Sequence, residues 1–552
     1  MTTASDGTSL SSLRESQAAK RDVRRWYVLA VAGIALMIGL RLLLIAVPLE
    51  RDEGGYAYIA DRWLHGETPY VHALETKPPG VFVAYAVILQ FGRSVQAIRA
   101  AAIVVAVITA LLFGWLAHRA YGARTGCLAT ALTALLMISP KYLGFTLNAE
   151  MVMVPFVLGA FLCLPIGTPP RGYGPYLLCG ALLGVAALVK PVAMTEGLPL
   201  AAVIVFGDGN PRRRLLRLLA VGAGFAAMIA LCVAWFASQH AAREMIFWSF
   251  LYNLQYSTDL SVAERSQALF SLMQLRGFAL RDWPIWLAAA IGVVALVRSP
   301  RPLVLRVFPL LWLTSSLLGT SASGRWTGHY FQQCLPAIGL LAALGAGRLL
   351  DAVRAQRGAL LYRRGAAGVI LALVLLYPPL VEARYYLAGP QLARMMYGFN
   401  PFMEGQAVGR YLAAHTAPDD TVFVFGSEGE FLFHAERRSA TRFVFTYPLG
   451  SSHPRALQWQ RETLEEVRRN NPRYIVVVGA RSSFYLTERA PKFLQEEITK
   501  MAAADYVREA AVLIVPTLRG TRETVFVAGT LPATKWAPAL VDIMVRTSLP
   551  EP

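Results

Sequence analysis

Two neighbouring acids, Asp52 and Glu53, and a lysine set in Lys77-Pro78-Pro79-Gly80 share one polar stretch of an otherwise apolar chain. A positioned carboxylate can take a proton from a hydroxyl. An ammonium group can hold a phosphate as a point charge. Similar groups recur in three further polar stretches: Lys141, Tyr142, Asn148 and Glu150; Lys190-Pro191; and 321–331, which holds Arg325, His329 and Tyr330. Arg325 and His329 can bind a phosphate through charge-assisted hydrogen bonds.

Each group also has a plainer reading. Asp52 and Glu53 open a helix expected to run to about His65, where an acid is a common N-cap and complements the dipole. Tyr56, Ile59 and Trp63 follow Asp52 at spacings of 4, 7 and 11 and share its face. Gly54-Gly55 is a poor first turn for a helix built only for stability, and it leaves the backbone open to close approach by a ligand. Lys77 can snorkel to the membrane edge instead of binding phosphate. Glu150 opens an apolar run, which favours a functional or dipole role. A lone His329 at the start of an apolar run is commonly structural.

The elements that must position these groups are membrane-spanning helices. The chain has 552 residues, of which 55% are hydrophobic and 16% charged, against about 25% charged in soluble proteins. Apolar runs at 26–48, 97–117, 125–140, 150–167, 174–189, 192–207, 218–238, 283–298, 304–320, 332–349 and 365–380 give about eleven spans by the usual length requirement. The run 79–92 is shorter and opens with Pro79-Gly80, so it is expected to be interfacial or re-entrant. The first run follows Lys20, Arg21, Arg24 and Arg25 and ends without a small-residue cleavage site, which predicts an uncleaved span with a cytoplasmic N-terminus.

Charge bias orients the bundle. Arg119, Arg124, Arg171, Arg212, Arg213, Arg214, Arg217, Arg298, Arg301, Arg306, Arg348, Arg354, Arg357, Arg363 and Arg364 then fall on the side of the N-terminus, as the positive-inside rule requires. The net charge of +18 is this bias, and no nucleic-acid partner is expected. The four loops with candidate chemistry share the opposite face. An acid pair and several cations beside lipid suit transfer of a group from an anionic lipid carrier. The five cysteines lie in apolar runs without a CxxC pair, so neither a disulfide framework nor a metal cage is expected.

The organisation read from the sequence is a cytoplasmic tail (1–25), a transmembrane domain (26–380) and a C-terminal domain (381–552) on the extracytoplasmic face. In that last part, strand-like runs at 421–425, 442–446, 474–478, 512–515 and 524–528 alternate with amphipathic stretches at 404–415 and 458–470, which predicts a small α/β domain. The aromatic stretch 397–402 suits a membrane surface or an ordinary linker turn.

Asp52-Glu53-Gly54-Gly55-Tyr56 together with Lys77-Pro78-Pro79-Gly80 resembles the GT-C membrane glycosyltransferases, in particular the aminoarabinose transferase, protein O-mannosyltransferase and bacterial RgtA/B/C/D-like branches. Asn148-Ala149-Glu150, Lys190-Pro191, His329-Tyr330-Phe331 before Leu335-Pro336, and 424–443 agree with it. The resemblance implies a polyprenyl-phosphate sugar as donor, a glycan, lipid or protein acceptor in the cell envelope, and inversion at the anomeric carbon. It implies Asp52 as general base with Glu53 assisting or orienting. Tyr56, Lys77, Lys190, Arg325, His329 and Tyr330 would bind substrate, Lys77 and then His329 and Arg325 holding the leaving phosphate. Glu150, often Asp in the family, would hold the acceptor, or a divalent metal where one is used. It also implies a bacterial inner-membrane setting. Thr76 stands where the aminoarabinose branch has an acid, and Glu75 is displaced by one. A transporter or flippase of lipid-linked glycans would need inverted repeats and charges deep in the bundle, and a scaffold would need neither Asp52 nor Lys77.

Overall fold

The computed structural model describes residues 6–166, 172–207, 209–256, 261–274, 281–356, 359–484, 489–517, 521–529 and 539–547. Arg171 and Arg357 of the basic loops, and residues 1–5 of the tail, lie outside the described residues.

An apolar segment surrounded by lipid must satisfy its backbone internally, and the helix does so. Among the described residues, six helices are long and apolar enough to cross a membrane: Val23–Leu43, Val95–Tyr121, Pro211–Ser238, Leu303–Ser321, Gly328–Ala355 and Leu360–Val381. Ala123–Leu136, Ala149–Leu162, Gly174–Val189, Pro191–Val205 and Trp283–Val297 are apolar but shorter, as is Gly80–Leu89, which has 10 residues. The chain is thus a multi-pass, mostly helical membrane protein. Small residues let its helices approach closely. A methyl group at Gly345 would sit 1.8 Å from the carbonyl oxygen of Ala288, and one at Gly224 would sit 2.0 Å from that of Leu177.

The C-terminal part carries a six-stranded mixed sheet of order β2-β1-β3-β6-β4-β5. Its strands are β1 (Thr421–Phe425), β2 (Arg438–Ser439), β3 (Tyr474–Val478), β4 (Tyr506–Pro516), β5 (Arg522–Ala528) and β6 (Ala539–Arg546). β1 runs parallel to β2 and β3, with Val422 opposite Tyr474; the other pairings are antiparallel. Helices Gly405–His415 and Ala456–Asn470 form at the expected amphipathic stretches.

Two expectations fail here. The run 442–446 is not a strand; the β pairing beside β1 goes to Arg438–Ser439. The backbone of 442–446 is used elsewhere: Arg442 O accepts from Leu74 N at 2.7 Å, and Thr446 N donates to Ser427 Oγ at 3.0 Å. Neither β2 nor β6 was among the expected strands, and in β6 Asp542 interrupts an apolar run. The interruption is tolerated because Arg508 on the adjacent β4 pairs with Asp542 at 2.7 Å.

Candidate functional site

The helix Arg51–Leu64 sets the site. Its N-cap is Glu50 and not Asp52: Glu50 accepts from the backbone of Asp52 (3.1 Å) and Glu53 (3.2 Å), and Glu53 reaches back to Glu50 N at 3.4 Å. This is a capping box made with glutamate. With capping assigned to Glu50, the Asp52 carboxylate is half-buried and makes no hydrogen bond or ion pair among the described residues.

Glu53 is fully buried and its oxygens are spoken for. Arg99, from helix Val95–Tyr121, grips it at 2.5 and 2.8 Å, and Leu147 N donates to it at 2.7 Å. Arg99 also donates to Val47 O and Pro48 O. Glu53 thereby ties the loop helix to two other segments, including the loop that leads into Glu150.

The first loop, the Lys190 segment and the loop of His329 and Tyr330 come together at Asp52, and Glu150 joins them through Lys190 and His329. The Asp52 charge lies within interaction range of Tyr56, Glu75, Lys190, His329 and Tyr330. Lys77 acts on Glu75, Lys190, His329 and Tyr330 in the same way. Glu150, at the start of helix Ala149–Leu162, is 1% exposed; it forms an ion pair with Lys190 and lies 4.0 Å from His329 Nε2. The Lys190 ammonium sits 3.9 Å from the centre of the Tyr330 ring, a cation–π contact. Tyr56 is buried against Phe82 and Tyr85. Arg325 stands further out, where its charge reaches Tyr330 and Glu264.

Glu75 joins this cluster. Lys77 Nζ donates to Glu75 Oε1 at 3.3 Å, so the acid meets the lysine although it is displaced by one position. Burial pushes the Glu75 carboxyl above its ordinary range; Lys77 pulls it down and Asp52 pushes it up again. With three carboxylates (Asp52, Glu75, Glu150) against two ammonium groups (Lys77, Lys190), every cation already has an acid neighbour. Among the described residues no three His, Cys, Asp or Glu side chains come together as a metal cage.

An apolar cavity of about 1460 Å³ is lined by Gly80, Leu147 and Val189, close in sequence to Lys77, Glu150 and Lys190, and by Phe156, Leu182 and Trp235. Gly80 follows Lys77 by three positions, Leu147 precedes Glu150 by three, and Val189 precedes Lys190 by one.

Gly54 and Gly55 do allow a close approach, but the C-terminal domain makes it and not a ligand. A methyl group on Gly54 would sit 2.5 Å from Glu430 Cβ, and one on Gly55 2.1 Å from Phe445 Cζ. Around this contact Arg51 donates to Glu428 at 2.6 Å, Ser439 N donates to Tyr58 OH at 2.7 Å and Arg438 pairs with Glu67 at 2.8 Å. Glu430 is 1% exposed, and neither of its carboxylate oxygens has a hydrogen-bond partner among the described residues. Burial, then the Glu428 charge, raises its pKa well above the ordinary value.

Sequence reasoning passed over Arg99, Glu50 and Glu196. Arg99 and Glu196 carried a signal, a lone charge in an apolar run. Glu196 is buried in the bundle and accepts from Ser315 Oγ (2.8 Å) and Ser316 Oγ (2.7 Å). It thereby joins the segment after Lys190 to the helix before His329. Glu50 carried no signal, because glutamate is not a preferred cap.

The bundle with a sheet-containing C-terminal domain is the fold of GT-C membrane glycosyltransferases. ArnT from Cupriavidus metallidurans bound to undecaprenyl phosphate matches with a TM-score of 0.56 at 16% identity, over 94% of this chain and 98% of that one. Its apo state matches equally, with a TM-score of 0.56 at 16% identity over 95% and 98%. The oligosaccharyltransferase AglB from Archaeoglobus fulgidus, in complex with an inhibitory peptide and a dolichol-phosphate, gives 0.53 at 11% identity over 94% of this chain and 76% of that one. Residues 76–237 match the family model of dolichyl-phosphate-mannose-protein mannosyltransferases. No curated protein sequence matches the chain.

Proposed function

We propose that the protein transfers a sugar from a polyprenyl-phosphate donor to a cell-envelope acceptor at the outer face of the bacterial inner membrane. The observation that supports this reading is the cluster of paired lysines and acids, together with an apolar cavity lined by the residues that adjoin it in sequence, Gly80, Leu147 and Val189. An isoprenoid phosphate is apolar along its length and anionic at one end, and the site has that polarity. The bias of arginines toward the N-terminal side supports the outward placement of the cluster and of the C-terminal domain.

In this reading Asp52 accepts the proton of an acceptor hydroxyl as its oxygen attacks the anomeric carbon. The bond from that carbon to the phosphate oxygen breaks, and the electron pair leaves with the polyprenyl phosphate. Attack opposite the leaving group inverts the anomeric centre. Lys77 neutralises the leaving phosphate, assisted by Lys190, His329 and, at the rim, Arg325. Fixed cations aimed at developing charge lower the barrier without reorganising. Glu150 holds Lys190 in place and faces the acceptor side, and Tyr56 and Tyr330 wall the pocket. Glu53 orients Asp52 through the capping box.

The test is turnover of a panel of labelled polyprenyl-phosphate sugars by the protein in lipid nanodiscs with cell-envelope extract. Transfer from one donor, lost in Asp52→Asn, supports the reading and names the sugar. Failure of every donor with folded protein moves the function to transport of a lipid-linked glycan or to a scaffold.

A further inference from the structure

We infer that Ser249 and Asn253, on the outer loop after helix Pro211–Ser238, are positioning residues that set the place of Lys77. The inference rests on the reading that Lys77 receives the donor phosphate.

The Lys77 side chain is bound to Glu75; its backbone is the part that needs bracing. Pro78 and Pro79 follow it and provide no backbone N–H, so this stretch must be fixed through its carbonyl groups. Two nearby carbonyls are held, one directly from the segment of Ser249 and Asn253 and one through Tyr70 of the first loop. Asn253 Nδ2 donates to Thr76 O at 2.6 Å. Ser249 Oγ donates to Tyr70 OH at 3.1 Å, and Tyr70 OH donates to Lys77 O at 2.8 Å. Asn253 also donates to Ser249 O at 2.8 Å, which locks the two together.

The segment Phe247–Leu251 is a π-helix. A π turn widens the helix locally and changes which side chains share a face, and such turns concentrate at functional sites. Its far side is anchored in the C-terminal domain: the Trp248 ring lies 4.8 Å from Trp459 and 6.1 Å from Phe443. Trp248 and Trp459 are both buried. The backbone at Lys77 is therefore tied to a segment that also packs against the C-terminal domain.

The experiment compares wild type, Asn253→Ala, Lys77→Ala and the double variant in nanodiscs, with Ser249→Ala as the milder second probe. Hydrogen exchange of amides 74–77 is read beside donor kinetics. Asn253→Ala should speed exchange there and raise the donor KM about tenfold, the scale of lost hydrogen bonds, with kcat within about twofold. In the Lys77→Ala background it should add nothing to KM. Ser249→Ala should move both readouts the same way by less. Unchanged exchange, or a kinetic loss that adds fully to that of Lys77→Ala, would overturn the inference. If wild type turns over no donor, the proposed function falls, while the exchange result still decides the brace: faster exchange upholds it and unchanged exchange rejects it.

Discussion

The two sides of the helix Arg51–Leu64 use buried polar groups in opposite ways. Toward the bundle, Glu53 is saturated by Arg99 and Leu147, while its neighbour Asp52 is left without a partner among the described residues. Toward the C-terminal domain, Gly54 and Gly55 have no side chain, and Gly429, Glu430 and Phe445 fill the space. A carboxylate that is locked serves architecture, and one that is positioned but unspent is available for chemistry. The difference between Asp52 and Glu53 is thus one of environment and not of residue type.

The comparison is broken most severely at Asp52. Asp52→Asn should lower sugar transfer by about 10²–10⁴-fold, the usual contribution of a general base. Its thermal unfolding should match wild type, because no hydrogen bond is lost. Transfer at the wild-type rate would remove Asp52 from the reaction.

Glu53→Ala should do the reverse and act on the fold. It leaves Arg99 buried without its carboxylate, a loss of about 3–5 kcal/mol, read as a lower unfolding midpoint in detergent. A variant as stable as wild type would mean that water replaces the carboxylate.

The domain-facing side is sharpened by Gly55→Ala. Its methyl group would meet the Phe445 ring, and overpacking of this kind costs about 1–3 kcal/mol. Limited proteolysis should show the C-terminal domain loosening before the bundle. A proteolysis pattern identical to wild type would mean that Phe445 moves aside freely.

The smallest effect concerns pH. His434, on the helix Gly429–Ala435 that covers the two glycines, has its pKa lowered from 6.5 to about 4 by burial, then by Arg93 and Arg410. The unfolded chain binds a proton there that the folded chain refuses, so stability rises with pH across this window. The contribution is present above about pH 6.5 and is lost as pH falls toward about 4, amounting to about 1–3 kcal/mol. The unfolding midpoint of wild type should drop more over this range than that of His434→Gln. Equal drops would show that His434 titrates normally.

Parts of this molecule were legible before folding. Apolar length announced the helices, since lipid admits little else, and the loops with acids and cations stood out because charge is costly there. Glu75 shows the limit: one position out of register in sequence, it meets Lys77 because a short extended loop lets both side chains turn to the same place. The stretch 442–446 shows another. Its run of aromatic and β-branched residues suits a strand, yet the first loop takes its backbone bond.

The sequence by itself determined that the chain enters a membrane, where its helices and most of its strands fall, and which residue types are available for chemistry. Local periodicity and transfer free energy decide these, and both are properties of short segments. Only the tertiary structure decided that Glu50 caps and Glu53 braces, that Asp52 is left unpaired among the described residues, and that Gly54 and Gly55 serve the C-terminal domain. Those outcomes depend on contacts between residues far apart in the chain, Arg99 with Glu53, Glu430 with Gly54 and Asn253 with Thr76, which no local pattern records.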